Sequence, residues 1–436
     1  MKNIVIIGGG FGGAYCAQEL EQRLQSAEAR VTIINRSNYF VFTPLLVEAG
    51  TGALEPRHAV VPLRQFIRRA DLHTAEVIGL DLEHRQVQTR TFDGGGHEVP
   101  FDHLVIALGS VTRLPNVPGL REHAFGLKSL ADAVALRDRA VALLELANET
   151  TDPQRRRAML TFVVVGGNYT GAEVAGEFNE FLTEATRLYR NITPADIRIV
   201  LVDREPRILS ALDEELSHYA SQRLQKRGVE MRLSNTILRI DPEQVELLGG
   251  ERLAAWTTIW TAGVAPSPLL ASFAVPLDRH GAVACQADLS VAGLNGVWSL
   301  GDCAAIPDPQ GGHYPQTAQH AIREGRHLAQ NIVRSLRGQP LQPFVYRSKG
   351  VTAPLGKHQG VARVYNRKLS GLPAWFLWRT YYLARMPGVG RKFRVLIDWT
   401  LDWFFRRDYV QLGIHGTHQP VPVQVAGEVR KQVTIP

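Results

Sequence analysis

Apolar runs and helical stripes follow one another along this chain in an order that repeats. Ile4 to Ile7 is an apolar strand running into the glycine-rich turn Gly8 to Gly13, followed by a helix carrying Ala14, Ala17 and Leu20 and by the strand Val31 to Ile34. The same order returns between about 158 and 285, with Phe162 to Val165, the turn Gly166 to Gly171, a long helix and Ile197 to Val202. Between the two, His73 to Pro100 alternates around Gly94 to Gly96, which predicts an antiparallel meander before the strand Leu104 to Leu108, ending at Gly109. An apolar strand resumes at Gly296 and ends in Gly301 and Asp302; the helix from about Thr317 to Leu336 follows, with Ala318, Ala321, Ile322, Leu328, Ile332 and Val333 on one stripe. The predicted class is α/β: two Rossmann-like units, the second (116–289) nested in a discontinuous first (1–115 and 290–345), with a C-terminal region over 346–436.

Each turn suits a pyrophosphate, because its glycines admit close backbone approach and the next helix presents its positive end. One copy alone would also serve as a tight turn without ligand; two imply two facing dinucleotides. The first copy has Gly8, Gly10 and Gly13 in place, whereas the second keeps Gly166 and Gly171 but carries Asn168 where the middle glycine would be. The next strands end in Asn35 and Asp203. Asp203 would accept both ribose hydroxyls and repel a 2′-phosphate, which favours NADH over NADPH, although Arg204 and Arg207 follow and could hold that phosphate.

The C-terminal region changes character. Between Pro373 and Tyr409 lie Trp375, Phe376, Trp378, Tyr381, Tyr382, Phe393, Trp399, Trp403, Phe404 and Phe405, interleaved with arginines and broken by Pro387 to Gly390 into two helices, within about 373–408. On the second, Phe393, Leu396, Ile397, Leu401 and Phe404 form an apolar stripe, and Arg391, Arg394, Asp398, Asp402 and Arg406 a polar one. Basic residues at its N-terminal end oppose the helix dipole, and an anionic lipid surface would account for them. A buried homodimer contact is the competing reading. Every glycine turn precedes Pro373, so this region is expected to be separable from nucleotide binding.

Composition narrows the class further. The 436 residues, 45% of them hydrophobic, suffice for two or three domain cores. No apolar run reaches the roughly 18 to 20 residues that span a bilayer, and the N-terminus has no secretory signal pattern. Cys16, Cys285 and Cys303 form no CxxC pair, which argues against a metal site or a disulfide-reductase mechanism. A net charge of +7 favours an anionic partner, and the aromatic helices select a membrane over nucleic acid.

In order, GGGFGG, NYFVFTPLL, IALGS, GGNYTGAE, TAGV, LGDCA and TAQHAIREG resemble the two-dinucleotide flavoproteins, specifically the type II NADH dehydrogenases, over about residues 1–410. The resemblance implies a non-pumping peripheral enzyme of the cytoplasmic membrane face that passes electrons from NADH through non-covalent FAD to a membrane quinone. It places FAD against Gly8, Gly10, Phe11, Gly13, Asn35, Arg36, Thr43, Pro44, Gly109, Gly301, Asp302, Gln316 and Ala318. Nicotinamide nucleotide would lie against Gly166, Asn168, Tyr169, Thr170, Gly171, Asp203 and Gly263. Gln319 and Arg323, with Arg323 in place of the family's second glutamine, would line a quinone pocket opposite Thr43 to Glu48, with Lys349 at its end. Glu173 matches a glutamate implicated in nucleotide and quinone handling and proton delivery; as a first-turn carboxylate it would also simply stabilise its helix. A sulfide:quinone oxidoreductase would need redox-active cysteines. A flavin-bearing redox sensor remains the other alternative, on account of Asn35 and Asn168.

Overall fold

The computed structural model describes residues 1–413; the tail beyond them, whose role the sequence left open, lies outside the described residues. Six helices frame the site: α1 (Phe11–Arg23), α2 (Leu46–Gly50), α3 (Tyr169–Ala185), α4 (Ala318–Leu336), α5 (Leu372–Arg385) and α6 (Val389–Phe404).

Two five-stranded parallel sheets share one plan. In the first, Lys2–Ile7 is central, flanked by Ala29–Asn35 and His103–Ile106, with Asp71–Thr74 and Val297–Ser299 outside them. In the second, Thr161–Val165 is central, flanked by Arg198–Val202 and Thr257–Trp260, with Val229–Arg232 and Ala124–Phe125 outside. Central strands covered on both faces read as unbroken apolar runs, and all five residues of Thr161–Val165 are buried. The last strand of the first sheet comes nearly 200 residues after His103–Ile106, so the second sheet is an insertion in the first. Ser110–Thr112 pairs antiparallel with Val264–Pro266 and ties the two units together.

Two expectations shift. The meander comprises Glu76–Asp81, Gln86–Arg90 and Gly96–Pro100, while His73 belongs to Asp71–Thr74, an edge strand of the parallel sheet. Two further antiparallel sheets were not anticipated, one of Ile237–Ile240, Gln244–Leu247 and Arg252–Ala254 and the other of Gly350–Pro354, Gly360–Val364 and Arg367–Ser370. The signal of the latter was present: GVARV and RKLS flank the two-residue loop Tyr365 and Asn366, with Tyr365 left-handed at φ 51.

The C-terminal helices are not separable. Trp378, Met386, Val395 and Trp399 lie in the same core cluster as Ile4, Ile6 and Cys16 beneath the first sheet, and Trp375, Trp378 and Trp399 are each at most 5% exposed. Half of the aromatic set thus builds the protein interior. The other half faces outward: Phe393 is 62% exposed, Phe404 77% and Phe405 68%.

α6 is therefore inverted relative to an ordinary surface helix, with Arg391, Asp398 and Asp402 of its polar stripe turned inward. Asp398 accepts from His58 Nδ1 at 2.5 Å and from the Glu55 amide at 3.2 Å, and Asp402 pairs with Arg407 at 2.9 Å and Lys357 at 3.2 Å. The basic N-terminal turn has an internal explanation too. Arg391 donates to the Arg57 and Val60 carbonyls, and Lys392 to the Ala384 carbonyl at 2.8 Å, at the negative end of α5. Of the three cations there, only Arg394 stays exposed.

Trp378→Ala should cost about 3–5 kcal/mol, as removal of a large aromatic from a packed core does. Chemical denaturation followed by tryptophan fluorescence measures it; a cost below about 1 kcal/mol would mean that α5 is an appendage after all.

Candidate functional site: a paired dinucleotide cleft

The two glycine turns have the same backbone. Gly8 (φ +105) and Gly166 (φ +107) sit in a region closed to other residues, and their amides donate to Ile34 and Val202 at 2.8 Å each. A Cβ at Gly13 would stand 2.0 Å from the Gly8 carbonyl oxygen, and one at Gly171 1.7 Å from that of Gly166, so neither position takes a side chain.

The middle positions differ. Gly10 (φ −72, ψ −166) starts α1 with no side-chain cap, and open space lies where its Cβ would be. Asn168 (φ −74, ψ −173) holds the same conformation at the start of α3, so its side chain adds no backbone strain. Its Oδ1 accepts from the Gly171 amide at 3.0 Å and its Nδ2 donates to the Thr261 carbonyl at 2.8 Å. Asn168 thus caps the helix, as its residue type favours. The first amides of α1 are left for a ligand.

The strand-end residues brace these turns. Asp203 accepts from the Gly167 amide and, at 2.6 Å, from that of Glu205. Asn35 accepts from the Gly9 amide at 2.9 Å and donates to the Ser37 and Tyr39 carbonyls at 2.7 and 3.3 Å. A carboxylate at 35 would face those two carbonyls with no hydrogen to offer. Both Asn35 Nδ2 hydrogens are thus engaged within the chain, and Oδ1 is the atom with capacity left for a ribose hydroxyl. Arg207 binds the Leu212 and Ser210 carbonyls of its own loop at 3.1 Å each, which withdraws it as a 2′-phosphate partner. Arg36 and Arg204 are exposed.

Asp302 follows the left-handed Gly301 (φ +73). Its Oδ2 accepts from Ser110 Oγ at 2.7 Å, Ser110 accepts from Lys128 Nζ at 3.0 Å, and the Asp302 carbonyl accepts from Gln316 at 2.7 Å. The Gly301 amide donates to Glu324 Oε2 at 2.8 Å, and burial pushes the Glu324 carboxyl up to about 7. Lys128 is exposed at the edge of this cleft, and desolvation by its surroundings lowers its pKa against the pull of Asp302. Sequence reasoning missed Ser110, Lys128 and Glu324, although Ser110 ends IALGS and Glu324 lies within TAQHAIREG. Gly109 and Gly263 are both left-handed, and the Gly263 carbonyl accepts from the Arg113 amide at 3.2 Å, beside the strand pair that joins the units. Phe11 packs edge-to-face on Phe40 and Phe42 at 5.5 and 5.6 Å.

At the start of α4, Thr317 caps the helix and Ala318 is partly exposed. Gln319 donates to Ser348 Oγ at 3.1 Å and accepts from Tyr346 Oη at 3.2 Å. Arg323 neither points to solvent nor projects freely: it donates to the Gln319 carbonyl at 2.7 Å and lies over the Tyr346 ring at 4.2 Å. The Lys349 side chain is exposed next to this cluster.

Glu173 belongs to a different group. Thr43 and Pro44 open a one-turn 3₁₀ helix that runs into α2, where Glu48 is buried. Arg379 of α5 meets Glu48 Oε1 at 3.3 Å while sandwiched between the Trp375 and Trp399 rings at 4.1 and 4.7 Å, and Trp399 Nε1 donates to Glu48 Oε2 at 2.7 Å. Glu173 faces this knot with Oε1 buried and unpartnered. Its pKa is held well above the usual carboxyl range by burial, and further by Glu48 and Glu177. Tyr169 and Thr170, in the first turn of α3, are half-buried. The three cysteines are unpaired, and burial pushes the Cys303 thiol up to about 11.

A pyridine nucleotide-disulphide oxidoreductase family model matches residues 2–325, and an NDH2 C-terminal domain model matches residues 349–408. A type II NADH:quinone oxidoreductase of Mycobacterium tuberculosis is 31% identical over 419 residues, covering 93% of this chain and 88% of that one. One from Staphylococcus epidermidis is 30% identical, covering 90% and 98%. NDH2 from Plasmodium falciparum in complex with NADH has the same fold, with a TM-score of 0.88 at 20% identity over 94% of this chain and 99% of that one. The Aquifex aeolicus sulfide:quinone oxidoreductase gives 0.71 at 18% identity, over 93% and 94%.

Glu173→Gln should change how stability depends on pH. The unfolded carboxyl releases its proton near 4.5 and the folded one only at higher pH, so wild-type stability falls as pH rises between those values, by at most about 1.4 kcal/mol per unit. The variant should match wild type below pH 4.5 and exceed it increasingly above, in denaturation curves taken across pH. A pH-independent difference would show that Glu173 ionises freely.

Proposed function

The chain belongs to the type II NADH:quinone oxidoreductase family, and we propose how its own residues divide the transfer of electrons from NADH to quinone. The observation that carries the assignment is the contrast between two backbone-matched turns. Gly10 leaves the α1 N-terminus uncapped and open, as the pyrophosphate of FAD requires, while the Asn168 cap and Asp203 mark the second turn as the nicotinamide nucleotide seat. FAD, when bound, supplies the hydride acceptance and the onward two-electron transfer.

The protein's part is placement and charge. Ser110, Lys128 and Asp302 form a hydrogen-bonded chain at the cleft, suited to orient ribityl hydroxyls, and the α4 N-terminus directs roughly half a positive charge past Gln316 and Ala318. Asp203 has one brace to each side of the turn and remains a carboxylate acceptor for ribose hydroxyls, which disfavours a 2′-phosphate. Gln319, held by Tyr346 and Ser348, presents the quinone-facing wall, with Arg323 stiffening that wall through its stack on Tyr346. Burial holds the Glu173 carboxyl well above its ordinary pKa, which suits it to proton delivery, and quinone reduction consumes two protons.

No helix among the described residues is long and apolar enough to cross a membrane. The outward row of α6, Phe393, Leu396, Ile397, Leu401 and Phe404, lies instead on the membrane surface on the side of the cytoplasmic NADH pool, a second copy of the chain being the other occupant that would bury it.

Anaerobic stopped-flow separates the two half-reactions. NADH should bleach the flavin absorbance far faster than NADPH, and Asp203→Ala should narrow that gap about tenfold or more by relieving repulsion of the extra phosphate; equal rates in the unmodified protein would refute the nucleotide assignment. Gln319→Ala should slow flavin reoxidation by quinone about 10²-fold, on the order of a lost positioning contact, with reduction by NADH nearly unchanged. If both steps slow together, the helix supports the flavin and the quinone wall lies elsewhere.

A further inference from the structure

Beside the C-terminal end of α6 a cavity of about 230 Å³ opens between that helix and α3. Its walls carry Arg187, Lys357, Arg406 and Arg407 against Glu184 and Asp402, and its rim carries Leu188 and Phe405. Asp402 is already paired with Arg407 and Lys357, and Glu184 accepts from Tyr409 Oη at 3.4 Å. Arg407, only 3% exposed, also faces Glu177 and Glu180 at 3.5 and 3.7 Å, so its charge is balanced, yet its Nη1 has no partner. Arg187 and Arg406 are exposed at the mouth. The pocket thus has a lining arginine with a buried donor left over, two cations at its mouth and apolar side chains 60–68% exposed at its rim, beside a buried Asp402 Oδ2 that also lacks a hydrogen bond.

We propose that this cavity seats the phosphate of an anionic phospholipid, with Arg187 and Arg406 clasping the headgroup and Arg407 Nη1 donating from below. This rests on the membrane reading of α6 and deepens it. Leu188, Phe404 and Phe405 would meet the first acyl carbons, which is why the occupant is a lipid and not free phosphate: a soluble anion would leave that apolar rim in water. Charge recognition and apolar burial are then adjacent but separate, the first at the cavity and the second along α6.

Their separation makes the test clean. Co-sedimentation of the FAD-loaded full chain is measured with phosphatidylcholine vesicles and with vesicles that also contain phosphatidylglycerol. The R187A/R406A variant should lose its preference for the anionic vesicles, by about fivefold per arginine, while binding phosphatidylcholine as wild type does and keeping its rate of flavin reduction by NADH. R187K/R406K should restore most of the preference. An unchanged preference in R187A/R406A overturns the proposal, as does protection of the wild type against thermal unfolding by inorganic phosphate equal to that by anionic vesicles. F393D/L396D, on the outward row away from the cavity, reads the other premise: it should abolish binding to both vesicle types, and failure of wild type to bind either would instead sink the membrane reading of α6.

Discussion

The Glu48 carboxylate is the point where three parts of the molecule meet. It sits on α2, which continues the Thr43 to Leu45 wall; it is held by Arg379 from α5 and by Trp399 from α6. Burying a carboxylate is costly unless it is paired and hydrogen-bonded, and here both oxygens have a partner while the guanidinium lies between two indole faces. Removing any member would leave a buried charge unmatched. The wall of the cleft and the outer helices therefore form one rigid piece, and the fold cannot loosen one without the other.

This explains why the chain's end was harder to read than its beginning. The two parallel sheets were legible because their central apolar strands, Lys2–Ile7 and Thr161–Val165, each run into a glycine at positive φ and admit few alternatives. The C-terminal aromatics were legible as helices but not as to facing, since Trp378 and Trp399 belong to a core made by residues from the other end of the chain. Nothing local marks Arg379 as the cation of a residue 331 positions away. Lys128 and Glu324 were missed for the same reason: each matters through a partner distant in sequence, Ser110 for one and Gly301 for the other.

The two asparagines that break the glycine and acid pattern turn out to need both halves of an amide. At 35 the side chain accepts from one backbone amide and donates to two carbonyls; at 168 it accepts from one and donates to another. Aspartate could do only the accepting half in either place. Departures that look like lost ligand contacts are, at the level of the turn, local solutions to backbone hydrogen bonding.

An ordinary surface helix drifts freely on its outer side, because water accepts almost any polar residue there. α6 lacks that freedom. Its inner side is fixed by Glu48, His58, Lys357 and Arg407, which demand specific polar partners at Trp399, Asp398 and Asp402, and its outer side is a row of exposed apolar side chains, Phe393, Leu396 and Phe404, where the proposed membrane contact would demand apolar residues. Substitutions tolerated on neighbouring helices should be rejected on both sides of this one, so that in a set of diverging descendants α6 would change more slowly than its exposure predicts.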